Sequence, residues 1–147
     1  MSHKKALLLI VLAELAVGLL AINNYGLTIE GLQATARFSG RLSLVIFSII
    51  FLVAAFNREK LTNLLSSNPF LIFAVTHGIH LLELLTYVYL SKTALIPIRL
   101  AGGFLAYVFI FILPYLYSRY WSGNLEPKKY AIAEHMYMYY VWFIFFM

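Results

Sequence analysis

Residues 70–90 read FLIFAVTHGIHLLELLTYVYL, an apolar run broken only by the ionisable groups His77, His80 and Glu83. About 20 apolar residues, rising 1.5 Å each in a helix, match the hydrocarbon thickness of a bilayer. In lipid, an isolated segment satisfies its own backbone groups only as an α-helix. The run therefore predicts a transmembrane helix. Its flanks mark the ends: Ser66-Ser67-Asn68-Pro69 offers a cap and a proline suited to a first helical position, and Ser91-Lys92-Thr93 closes the other side.

Outward from this helix the same pattern recurs at 6–22, 36–56, 96–117 and 130–147. The expected fold is all-α, a polytopic membrane bundle of about five transmembrane helices, with residues 1–147 forming a single transmembrane domain. The second apolar run, Leu42–Phe56, is short. It reaches spanning length only if its helix starts near Ala34, which places Arg37 and Arg41 in its first turns. Asn57-Arg58-Glu59-Lys60 ends that helix, and Leu61–Leu65 reads as a short interfacial turn. Ser122-Gly123-Asn124 and Pro127 separate the last two helices, and Pro114 is expected to kink the fourth. Ala6–Ile22 follows Lys4-Lys5 as a signal peptide would. The run exceeds the usual apolar core of about 7–15 residues, and Asn23-Asn24-Tyr25-Gly26 offers no small-residue cleavage site, so it reads as a retained first helix.

Composition agrees. The 147 residues are 63% hydrophobic and 12% charged, with a mean hydropathy of +0.85, against about 25% charged in soluble domains. Flavin- or nucleotide-binding domains take about 100 residues or more, and the length leaves room for neither. The net charge is +5. The cations lie between apolar runs, so they read as topology and headgroup signals and not as a nucleic-acid surface. The absence of cysteine excludes disulfides, thiolate metal sites and a thiol nucleophile. Lys4, Lys5, Arg58, Lys60, Arg119, Lys128 and Lys129 fall on one side of five spans; Arg37, Arg41, Lys92 and Arg99 fall on the other. This bias predicts a cytoplasmic N-terminus and an outer C-terminus.

Ionisable groups inside a membrane are expensive and mark function by default. His77, His80 and Glu83 recur every three residues, a strip that drifts slowly round one helix face and must point into the bundle. His135 lies on the fifth helix, parallel to the third. His77 follows Pro69 by as many residues as His135 follows Pro127, which predicts matched depth, with His80 one turn deeper. Two imidazoles on facing helices can hold the two sides of one haem iron. The plainer reading is that the histidines only hydrogen-bond between helices. His135, Tyr139, Trp142 and Phe146 share the face expected to meet a cofactor, although aromatics at helical spacing are more often packing or interfacial belts. Arg37 and Arg41, one turn apart, suit carboxylates such as haem propionates, or else lipid headgroups. Glu14 and Glu83 read either as partners of His or Arg and relays for protons, or as protonated structural hydrogen-bonding groups.

Three segments carry a resemblance. Thr35-Ala36-Arg37-Phe38-Ser39-Gly40-Arg41-Leu42-Ser43, the stretch around Thr76-His77-Gly78-Ile79-His80-Leu81, and Glu134-His135-Met136-Tyr137-Met138-Tyr139-Tyr140-Val141-Trp142 resemble, in order and spacing, the bacterial ferric-reductase-like transmembrane family. The resemblance covers Ala34 to the end. It implies one haem b held by paired histidines between the third and fifth helices and single-electron transfer across a bacterial inner membrane. His80 and His135 are the positions that match the family's ligands, while depth counting favours His77. Larger members stack two haems through further histidines; this chain lacks them. It also lacks flavin and NADPH domains, so the implied partners are an unidentified electron donor and acceptor, protein or quinone, or a larger membrane complex whose reductase activity it would serve. Two rivals stand beside this reading: a cofactor-free scaffold or accessory subunit, and a di-metal membrane oxidase, for which one short histidine cluster plus one more His is a thin ligand set.

Overall fold

The computed structural model describes residues 3–56, 68–94 and 97–146, and five helices carry them: α1 (His3–Tyr25), α2 (Ile29–Phe56), α3 (Pro69–Ser91), α4 (Pro97–Trp121) and α5 (Pro127–Phe146). No strand occurs among the described residues. The expected break at Asn57-Arg58-Glu59-Lys60, the segment Leu61–Leu65 and Met147 lie outside them.

Local chemistry sets the helix ends. Gly26, at φ 71°, takes the left-handed turn that closes α1, and its N–H reaches the Ile22 carbonyl at 2.7 Å. Thr28 then caps α2, its Oγ1 accepting from the Gly31 N–H at 3.1 Å. This cap moves the start of α2 to Ile29, several residues before the expected position near Ala34–Ala36. Arg37 and Arg41 consequently sit in the third and fourth turns of α2, correcting the expectation of first turns. At α3, Asn68 accepts from the Leu71 N–H at 3.1 Å and Pro69 occupies the first turn, as its sequence predicts. The same Asn68 side chain donates to the Pro114 carbonyl at 3.0 Å and to Ser118 Oγ at 3.1 Å, tying the start of α3 to α4. Gly123, at φ 74°, makes the turn after α4, with the Asn124 N–H bonded to the Arg119 carbonyl at 2.9 Å.

Four helices are long and apolar enough to cross a membrane: Lys4–Tyr25, Ile29–Ala54, Pro69–Ser91 and Ala101–Trp121. α5 is not among them, yet it lies in the same bundle. Large apolar side chains such as Leu8, Leu12, Leu15, Leu19 and Phe104 point outward. In water such a surface would drive aggregation; in lipid it is ordinary. The chain is an integral membrane protein.

The core is aromatic. Phe47 of α2, Phe70 and Phe73 of α3 and Tyr137 of α5 are fully enclosed, with ring centroids 5.4–6.5 Å apart. α2 and α3 run antiparallel in even register: Phe47 faces Phe73, Ser43 faces His77 and Gly40 faces His80. α1 joins through Gly18 against Thr35 and Glu14 beside Ser39. α5 lies along α4 from the Tyr120–Tyr130 stack at 4.5 Å to the Tyr140 hydroxyl, which donates to the Gly102 carbonyl at 3.1 Å.

Candidate functional site

Glu14 is the midpoint of α1 and His80 the midpoint of α3, and the register sets Ser39 and Gly40 of α2 between them. For helices that span, this is the depth of the bilayer centre, where polar groups cost most. Four groups meet there. The Glu14 carboxyl, from a side chain only 3% exposed, faces Glu83 across a cavity of about 290 Å3 bounded by α1, α2 and α3. The Ser39 hydroxyl lies next to both carboxyls. Neither Glu14 oxygen has a hydrogen-bond partner, nor do Glu83 Oε2, Ser39 Oγ or His80 Nδ1. A buried polar atom left so costs on the order of 1–3 kcal/mol.

His80 borders a second cavity of about 300 Å3, shared with Gln33, Arg37, Gly40 and Tyr87. Its ring rests on Gly40 so closely that a Cβ there would come within 3.0 Å of His80 Cε1. The absence of a side chain at Gly40 is what admits the imidazole between α2 and α3.

His77, at 5.1 Å between ring centroids from His80, is locked in place. Its ring stacks on Phe73 at 5.3 Å and on Tyr107 at 4.9 Å, and meets Phe145 edge-on at 5.3 Å. Ser43 Oγ gives its one proton to the Gly40 carbonyl at 3.0 Å, so His77 Nδ1, 2.9 Å from the same oxygen, is the donor of that pair. This assigns the Nδ1–H tautomer from the hydrogen-bond network.

The fifth helix is placed otherwise than its sequence suggests. Its inward stripe is Tyr130, Glu134, Tyr137 and Val141, with the Tyr130 hydroxyl donating to Glu134 at 3.0 Å. His135 lies about 100° round the helix from Glu134 and is exposed, its Nδ1 paired with the Ala131 carbonyl at 2.6 Å. Tyr139, Trp142 and Phe146 are exposed on the same outer face; Tyr139 touches the Phe51 ring edge-on and Trp142 leans on Phe146. The expectation that this face looks inward is therefore corrected. So is the matched depth of His77 and His135. Tyr137 is level with Phe70 and Phe73, and Phe145 with Phe73 and His77. His135, two residues before Tyr137, lies two or more turns from His77, roughly 10 Å or more along the bundle at 1.5 Å per residue. The prolines mark where each helix begins, but the two helices do not begin at one depth.

Of the expected site residues, the structure brings together His77, His80 and Arg37, and separates His135, Tyr139 and Trp142 from them. Arg41 is exposed, its guanidinium 5.8 Å from the centre of the Phe38 ring. The α3 histidines and His135 share neither depth nor facing in this structure, and aromatic rings surround His77. Among the described residues no group of three or more His, Asp or Glu is arranged to hold a metal ion. The chain matches no family model, no curated protein and no solved structure.

Proposed function

We propose that the chain is a proton-transfer protein of the membrane, working through Glu14, Ser39, Glu83 and His80 at the meeting of α1, α2 and α3. The observation that carries this is the pair of midplane carboxyls facing one cavity with a serine hydroxyl beside both. Carboxyls bind and release protons, a hydroxyl passes them on, and an imidazole takes a proton on one nitrogen while losing one from the other. His80 stands one turn from Glu83 on α3, between the carboxyl cavity and the cavity that Arg37 borders. His77, tied to Ser43 and enclosed by rings, orients its neighbour and stays out of the route.

The test is proton flux into sealed vesicles containing the purified chain, driven by a potassium diffusion potential and read by an internal pH dye. Flux well above that of protein-free vesicles, lowered at least tenfold by Glu14→Gln or Glu83→Gln, is the expected result. Flux equal to protein-free vesicles overturns the proposal.

One observation favours a second reading. His80 and Arg37 share a cavity, and His80 Nδ1 has no partner. These are the residues that would hold an iron and a propionate if haem b is carried at α2–α3, away from His135. When bound, such a group supplies one-electron transfer between a donor and an acceptor in the membrane. The visible spectrum of the purified protein decides this, since a colourless chain removes it. A chain both colourless and proton-tight would instead be a scaffold within a larger complex.

A further inference from the structure

The carboxyl cavity has an unusual lining. Val11, Leu15, Leu19 and Ile79 form its walls, and Glu14 and Glu83 are its charged members. Gly18 and Thr35 add a small and a hydroxyl-bearing surface where α1 meets α2. Val11, Leu15 and Leu19 are also among the outward-pointing side chains of α1, so the cavity opens toward the lipid and not toward the bundle core. Glu14 itself is 3% exposed, lines this space and has the Ser39 hydroxyl beside its carboxyl.

We propose that this cavity binds a lipophilic organic cation, an amine or quaternary ammonium ion entering from the bilayer, in exchange for a proton. The inference rests on the reading of Glu14 and Glu83 as a protonatable pair. A bare metal ion is a poorer occupant, because a hard cation needs about six or more oxygen ligands, and the cavity offers two carboxyls and a threonine hydroxyl among apolar walls. An organic cation matches both halves: its charge meets a carboxylate and its hydrocarbon meets Leu15, Leu19 and Ile79. The volume lies at the lower end of small-molecule sites, enough for one small aromatic ammonium ion. The exchange balances in charge: the carboxyl gives a proton to solvent and becomes the counter-ion of the bound cation. The titratable groups facing Glu14 are Glu83 from α3, with His80 one turn away on that helix; α2 faces it with Ser39 and Thr35, neither charged.

The probe is benzyltriethylammonium, a quaternary ion whose charge does not change with pH, so any pH dependence belongs to the protein. Binding to the full chain in detergent is followed by calorimetry in two buffers of different ionisation heat, which counts protons released. The expected result is saturable binding with about one proton released per cation, and affinity rising up to tenfold per pH unit while the pair deprotonates. Glu14→Gln and Glu83→Gln should each weaken binding tenfold or more, while Glu14→Asp retains it. Gly18→Leu, which fills the wall without touching charge, should also block it. Size-exclusion profile and helical content identify any variant that fails to fold, and Glu14→Asp then carries the comparison. Absence of saturable binding by the folded wild type, or unaltered binding by the Glu14→Gln/Glu83→Gln double variant, overturns the inference. Proton flux is measured without any organic cation present. A chain that conducts protons but binds none therefore sinks only this inference, and one that binds but does not conduct sinks only the relay.

Discussion

His77 and His80 show how a residue of one type takes different roles a turn apart. His80 has an unpartnered ring nitrogen and a cavity beside it, whereas His77 has a hydrogen-bond partner and rings on three sides. Removing the Ser43 hydroxyl leaves His77 Nδ1–H buried without an acceptor, which costs about 1–3 kcal/mol. Ser43→Ala should therefore destabilise the fold by that amount in reversible unfolding from micelles. His77→Phe replaces the imidazole with a ring that needs no partner, so the double variant Ser43→Ala/His77→Phe should recover most of the loss. A double-mutant cycle measures this coupling, and additive losses would show that the pair contributes nothing jointly. The sequence marks His77 and His80 equally, both ionisable and both on the inward strip. What separates them, Gly40 and Ser43 on another helix, depends on the α2–α3 register, which no local pattern encodes.

At the scale of the helix, what could be read early was the apolar length and the capping chemistry. Pro69 and Asn68 define α3 as their types predict, because a proline without N–H and an Asx cap act within one turn. The start of α2 was harder, since Ile29–Gln33 mixes Glu30 and Gly31 with apolar residues and hides a cap at Thr28. The inward face of α5 was the least legible: apolar and aromatic residues surround it on every side, so periodicity chooses no face. The two caps also make different predictions. Thr28 caps α2 and otherwise makes only an exposed local bond to the Tyr25 carbonyl at the end of α1, so Thr28→Ala should cost about 1 kcal/mol. Asn68 caps α3 and also donates twice to α4. Asn68→Ala should cost clearly more, about 2–4 kcal/mol once the cap and the released acceptors are combined. Equal losses in the same unfolding assay would mean that the α3–α4 tie adds nothing.

For the whole molecule, α5 decides the topology. Among the described residues only α1 to α4 qualify as spans by length and apolarity, and α5 carries Lys128, Lys129, Glu134, His135 and several tyrosines. Its course through the bundle nonetheless follows α4. Tyr130 meets Tyr117 and Tyr120 near one end of α4, and Tyr140 reaches Gly102 near the other. A helix that accompanies a spanning neighbour over that distance traverses the same depth. The buried carboxyl of Glu134 is met by Tyr130, which lowers the cost of carrying it there. We propose that α5 crosses as well, so that five crossings put the two ends on opposite sides, with the N-terminus in the cytoplasm as the bias of lysine and arginine predicts. A reporter fused ahead of Ser2 should be active only in its cytoplasmic form, and one fused after Met147 only in its external form. Reversing Lys4 and Lys5 to glutamine while adding lysines near Asn23 should weaken that orientation, because the rule acts through cations close to the first span. Both ends reporting from one side would mean that α5 turns back without crossing, and the outer face formed by His135, Tyr139 and Trp142 would then lie against headgroups instead of hydrocarbon.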